Sequence, residues 1–198
     1  MQVNQSDLDH LRWFDRLVHV SLKDKAVLDL GCGSGHICRS AIERGAQFAV
    51  GVDVVKPKRE AGAEWKFVYG DLDSASWHGS LGRRFNLVTA FDIIEHLRSP
   101  FDFLVTCGKL LEPEGLLVLT TVNVDSWERL IRPGEWSGAT DAQHKILFTK
   151  YSLAFLLART GFSVNVMAAP IRKIEFLGAL QPGFGGQLFC VCKLRKQA

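Results

Sequence analysis

Residues 27–36 read VLDLGCGSGH. Val27, Leu28 and Leu30 form a short apolar run, Asp29 interrupts it, and Gly31, Gly33 and Gly35 follow at every second position. An apolar run of this length bounded by glycine is the pattern of a buried strand. Glycines after a strand mark a turn where the backbone takes dihedrals closed to other residues, or where something approaches it closely. The fold and the function both depend on what such a loop accommodates.

Similar β-branched runs recur at Ala26–Leu30, Phe48–Val52, Lys66–Tyr69, Asn86–Phe91 and Leu116–Thr121, with helical or turn-like stretches between them. Ser99-Pro100 with Asp102 supplies a cap, a proline at the first helical position and an acid in the first turn. Phe101, Leu104, Val105 and Leu111 then recur at helical spacing. Thr149 caps a second helix, whose Leu153, Leu156 and Leu157 face inward and which Gly161 ends. Alternation of this kind predicts an α/β fold with a parallel sheet covered on both faces. Phe162–Ala168 and Gln187–Leu194 have no helix long enough to cross between them, so the last strand is expected to run antiparallel.

The whole chain, 1–198, is expected to form one domain: its 198 residues are 47% hydrophobic and 23% charged. A helix is expected at 6–18, from Ser6 as cap through Leu8, Leu11, Phe14, Leu17 and Val18, packed on an edge or covering a ligand site. No run approaches the roughly 18 uninterrupted apolar residues of a membrane helix, and MQVNQSDLDH lacks a basic region before an apolar core. Five cysteines, Cys32, Cys38, Cys107, Cys190 and Cys192, form neither a CxxC pair nor a metal-ligand spacing, so no metal is expected and the setting reads as cytoplasmic. A net charge of +3, with basic residues spread apart from KPKRE at 56–60 and KLRK at 193–196, is too weak for a nucleic-acid footprint.

Three ligand readings of the glycine loop can be separated. A Walker loop requires a lysine on the phosphates, and none lies between Lys25 and Lys56. The dinucleotide fingerprint would place its third glycine at position 36, where the chain has His36, and Asp29 disfavours a doubly charged pyrophosphate. A ligand joining an amino acid to a nucleoside without phosphate, such as S-adenosylmethionine, would use the glycines for close approach and the acid for its amine. Asp29 can equally serve the loop's own amides. Asp53 ends the second strand twenty positions beyond Gly33, where a ribose diol would be gripped, a feature that suits NAD as well. Asp71, just past the third strand, could accept from an adenine amino group.

Together, VLDLGCGSG, GVDVV, YGDLD, FNLVTAFDIIEHL, LLEPEGLLVLTT and HKILFTKYSLAFLLARTGF resemble the class I S-adenosylmethionine-dependent methyltransferases, in the small-molecule branch typified by ubiquinone biosynthesis, over about residues 25 to 165. The resemblance implies a Rossmann-like, doubly wound seven-stranded sheet, mostly parallel, with strand seven antiparallel. It implies that Gly31, Cys32, Gly33 and Gly35 line the cofactor's methionine end. Asp29 would then lie near its amine, Asp53 with Val54 at its ribose, and Asp71 with Leu72 at its adenine. Phe91 and Asp92 would close the pocket from strand four, and His96 would shape it. Only eleven residues separate Asp53 from Trp65, so the second crossover helix reads as abbreviated.

Methyl transfer from a sulfonium is an in-line displacement in which alignment supplies much of the rate, so a catalytic side chain is optional. Where the acceptor must lose a proton, His144 in DAQHKILFT is the candidate base, with loop ordering as its other reading. Glu95 reads as a solvated acid at a helix start. The stretch 121–147, with Trp127, Trp136, Arg129 and Arg132, reads as cover for the acceptor or as surface packing; the arginines would suit an anionic acceptor. Cys32 reads as space-filling. The expected partner is a small-molecule methyl acceptor rather than nucleic acid: strand four ends in FDII, where amino-methylating enzymes carry Asn or Asp before two prolines and an aromatic. A non-catalytic binding or regulatory subunit and NAD-dependent oxidoreduction are the competing readings.

Overall fold

A computed structural model describes residues 9–12, 14–15, 18–57, 65–74, 76–170 and 183–195. Seven strands form one sheet: β1 (Ala26–Leu30), β2 (Phe48–Asp53), β3 (Trp65–Tyr69), β4 (Phe85–Phe91), β5 (Leu111–Val122), β6 (Phe162–Ala168) and β7 (Gln187–Leu194). Their spatial order is β3-β2-β1-β4-β5-β7-β6. β3, β2, β1, β4 and β5 pair in parallel, while β7 runs antiparallel to both β5 and β6, as the sequence reading expected. The order reverses between β1 and β4, which opens a crevice at the carboxyl ends of the parallel strands.

All five residues of β1 are buried, so it runs through the middle of the domain. Because successive side chains point to opposite faces, Ala26, Leu28 and Leu30 join one core and Val27 the other. The first core is closed by α3 (Pro100–Leu110) and α6 (Lys150–Arg159), through Phe103, Leu104, Cys107, Leu153 and Leu157. The second is closed by α2 (His36–Glu43), through Ile37, Cys38 and Ala41, and by the helical segment α1 at residues 9–12 and 14–15, through Phe14. Arg44 pairs with Asp15 and so ties α1 to the end of α2. Ser6, Leu8 and Leu17 of the expected 6–18 helix lie outside the described residues, as does 58–64, the region read as an abbreviated crossover.

The cap readings hold. Ser99 accepts from the Asp102 N–H with Pro100 in the first turn, and Thr149 forms a reciprocal capping box with Ser152. Gly161, at φ +89, follows the C-cap Thr160. Two boundaries are corrected. Leu111 does not continue α3; its backbone is extended and it opens β5, pairing with Phe85, so β5 is longer than Leu116–Thr121. The 121–147 stretch contains two short helices, α4 (Trp127–Ile131) and α5 (Ser137–Thr140), too brief for helical periodicity to show in sequence. All five cysteines are buried and unpaired, with Cys190 and Cys192 on the same face of β7. Among the described residues no helix is long and apolar enough to cross a membrane.

Candidate active site

The residues singled out for the cofactor gather at the carboxyl ends of β1, β2, β3 and β4, but the three loop glycines serve different ends. All have positive φ: +74, +49 and +74 at Gly31, Gly33 and Gly35. A Cβ at Gly31 would overlap the Ile93 side chain, and one at Gly35 the Trp65 ring, whereas at Gly33 it would meet nothing within 4 Å. Two glycines therefore let the protein pack on its own loop, and one fronts open space. The loop is pinned from below by Gly31 and Cys32 N–H groups donating to the Val52 carbonyl, at 2.8 and 3.1 Å.

Asp53 bridges loop and strand: Oδ2 accepts from the Gly33 N–H and Oδ1 from the Val55 N–H, both at 2.8 Å. Val54 beside it is exposed. Asp71 Oδ1 accepts from the Asp73 N–H at 3.0 Å in an exposed turn, with Leu72 packed against the core edge. Asp29 is buried, and its Oδ1 accepts from the Thr89 hydroxyl of β4 at 2.7 Å. A buried carboxylate held this way braces the two strands that flank the crevice. Cys32 turns its side chain into the core. Burial first, then the charges of Asp29 and Asp53, push its thiol well up, so it is a packing group and offers only backbone to the loop.

A second group surrounds Asp92. Its backbone is left-handed, at φ +53, and its Oδ1 accepts from Thr120 Oγ1 at 2.7 Å. Gln187 Nε2 lies 2.8 and 2.9 Å from its two oxygens, and His10 Nε2 is 3.1 Å from Oδ2. Burial acts to raise this carboxyl, but His10, Thr120 and Gln187 together hold it below the usual carboxylate range. The His10 ring stacks on Phe91, centroids 4.8 Å apart and planes 25° from parallel. Phe91 and Asp92 thus face α1 and the start of β7.

Glu95, His96 and His144 form a third group. Glu95 is fully buried, which corrects its reading as a solvated acid: Ile94–His96 is a 3-10 turn folded under residues 145 and 146, whose N–H groups donate to the Glu95 carbonyl. Burial first, then the Asp92 charge, push the Glu95 carboxyl up to about 7. The His96 and His144 rings lie 4.9 Å apart, and the three side chains bring donor atoms within 4.8 Å of one another, a spacing that could hold a metal ion. Asp73, held by the Arg98 N–H at 2.7 Å and Lys145 Nζ at 2.9 Å, fixes the segment carrying His144.

A cavity of about 590 Å³ opens between α1, α4, α5 and the β5–β7 edge, lined by His10, Thr120, Trp127, Trp136, Gln187 and Phe189 among others. Arg132 lines it too, paired with Glu135 at 3.2 Å; Arg129 instead donates to the Val124 carbonyl of its own loop. His144 is not part of this lining. His10, Thr120 and Gln187 were not anticipated. Each comes from a different, sequence-distant element, and no local spacing marks them.

A family model described as a methyltransferase domain matches residues 5–165, and the chain belongs to that family. Among curated relatives, a ubiquinone biosynthesis O-methyltransferase of Neisseria meningitidis serogroup C is 31% identical over 117 residues, 53% of this chain and 47% of the relative. One from Cereibacter sphaeroides is 25% identical over 214 residues, covering 87% and 86%. In the Neisseria case the chain spans about half the relative's length. A solved S-adenosylmethionine-dependent methyltransferase from Archaeoglobus fulgidus superposes with a TM-score of 0.72 at 20% identity over 96% and 95% of the chains. One from Mesorhizobium loti gives 0.70 at 18% over 96% and 98%. At these identities the structural matches speak for the fold.

Proposed function

We propose that the chain is an S-adenosylmethionine-dependent O-methyltransferase acting on a small hydroxylated acceptor. The observation that carries this is the side-by-side placement of two sites: the crevice with the glycine loop and Asp53, and the separate cavity beyond Asp92. The crevice fits the donor. Gly33 leaves open space, Asp53 sits at the tip of β2 for a hydroxyl pair, Asp71 and Leu72 flank the next turn, and there is no loop lysine for a phosphate. Bound there, S-adenosylmethionine supplies a methyl group on a positively charged sulfur, which leaves as the neutral thioether S-adenosylhomocysteine.

The chain's own contribution is to bring an acceptor oxygen into line with that methyl and to keep water out. Trp127 and Trp136 wall the cavity, and His10, which also lines it, rests on Phe91 and Asp92. Oxygen as the methylated atom is supported by the relatives, which are named O-methyltransferases. Five buried reduced thiols fit a cytoplasmic setting.

Calorimetry with S-adenosylhomocysteine and with NAD tests the donor. Saturable binding of the first and none of the second is expected, and the reverse would sink this reading. Label transfer from methyl-labelled S-adenosylmethionine to a panel of phenols and aliphatic alcohols then tests the acceptor.

A further inference from the structure

We propose that His10, oriented by Asp92, is the group that takes the proton from the acceptor. The proposal rests on the O-methyltransferase reading above and adds to it the identity of the base. His10 meets the geometric demands. It lines the acceptor cavity, its side chain is only 7% exposed, and its ring is clamped between the Phe91 face and Asp92. With Nε2 beside Asp92 Oδ2, at 3.1 Å, Nδ1 is the nitrogen left to accept a proton.

Asp92 is a positioning residue, and the fold fixes it from three further sides. Thr120 donates to Oδ1, Gln187 reaches both oxygens, and the left-handed backbone sets the direction of the side chain. Asp is among the few residues that adopt this backbone at modest cost. A carboxylate so supplied with donors stays ionised and stabilises the imidazolium that forms when the proton arrives. His144 has an acid of its own, Asp141, at 3.7 Å, but it packs on His96 outside the cavity lining and so does not face an acceptor held there.

The step balances. The acceptor oxygen bonds to the methyl carbon as the carbon–sulfur bond breaks and its electron pair stays on sulfur. The hydroxyl proton passes to His10 Nδ1 and later to solvent. Among the described residues the charged groups around His10 are Asp92 after β4, Asp9 on its own helix, and Glu128, Arg132 and Glu135, which line the same cavity.

The test uses 4-nitrocatechol, a phenol whose ionisation is read by absorbance, with wild type, His10→Gln and His10→Asn in the presence of S-adenosylhomocysteine. Wild type is expected to bind the probe with its phenolate fraction, on the acid side of the free midpoint, raised at least tenfold. Both variants should lose that shift and keep their affinity for S-adenosylhomocysteine within threefold, which also reports that they fold. Initial rates with S-adenosylmethionine should fall about 100-fold or more in both variants, and the acid limb of the pH–rate profile should disappear. A variant that binds S-adenosylhomocysteine, ionises the probe as wild type does and keeps the acid limb overturns the dyad alone. Failure of wild type itself to bind S-adenosylhomocysteine overturns the donor reading beneath it.

Discussion

The two halves of the site are built by different routes. The crevice proposed for the donor comes from consecutive pieces of chain: a strand, its loop and the tips of the neighbouring strands, each carrying its candidate residue within a few positions of a strand end. The acceptor half is assembled from α1, the end of β4, β5, α4, α5 and the start of β7, segments that meet only in three dimensions. In a half made of local pieces the tolerance to change differs from one position to the next, because neighbouring residues divide the work between protein packing and open space. A half made of distant pieces depends on the pins that hold those pieces together.

The largest expected effect strikes the local half. Gly31→Ala combines a left-handed backbone with overlap on Ile93, and should cost about 3 kcal/mol of stability in denaturant unfolding. Gly31 holding only a ligand surface, with no structural duty, would instead leave stability unchanged and weaken S-adenosylhomocysteine alone.

Glu95 lies between the halves and tests them through pH. Its carboxyl is ordinarily protonated below 4.5 and, in the fold, keeps its proton up to about 7. Below the lower value both folded and unfolded states are protonated and there is no penalty. As pH rises through this window the folded state increasingly bears the cost of a buried charge, reaching roughly 3 kcal/mol above it. Glu95→Gln should therefore be more stable than wild type at pH 8 by roughly 3 kcal/mol and about equal to it at pH 4.5, by thermal unfolding at both values. A gain that is the same at both pH values would remove the buried charge from the explanation.

Asn123 probes a pin of the distant half. Its Nδ2 donates to the carbonyls of Gly183 and Gly185, fixing the approach to β7, and its Oδ1 accepts from the Asp125 N–H. Asn123→Ala should cost about 2 kcal/mol and raise KM for the acceptor more than it weakens S-adenosylhomocysteine. Equal losses for both ligands would mean that the halves are coupled. The smallest effect belongs to Gly33→Ala, which pays only the left-handed backbone, about 1 kcal/mol, with space for the added methyl. Its donor affinity, measured by calorimetry, should drop by more than its stability, since this is the glycine that fronts open space.

The same division governs what could be read from the chain. Strand runs, caps and the antiparallel last strand are visible because burial and capping leave marks at fixed spacing, as at Ser99, Thr149 and Gly161. The glycine turn and the place of Asp53 at the end of β2 were legible for the same reason. Glu95 was misread because a charged residue at the start of a short turn carries no mark of the segment at 145 and 146 that folds over it. His10 stands on an expected helix, but nothing within that helix says that its ring will meet Asp92, some eighty positions away in sequence. Asp29 was read as a partner for an amine or for the loop's own amides; its tie to Thr89 is a contact between β1 and β4 that no local spacing encodes.

The reversed direction of β7 has a practical consequence. Its first residue, Gln187, pairs with Val122 at the edge that carries the site, while Lys193 pairs with Leu116 at the opposite edge. Anything fused beyond Leu194 therefore starts from the far side of the sheet. A fluorescent label or immobilisation handle there should leave both entrances clear, while one placed near residue 186 would sit in the doorway.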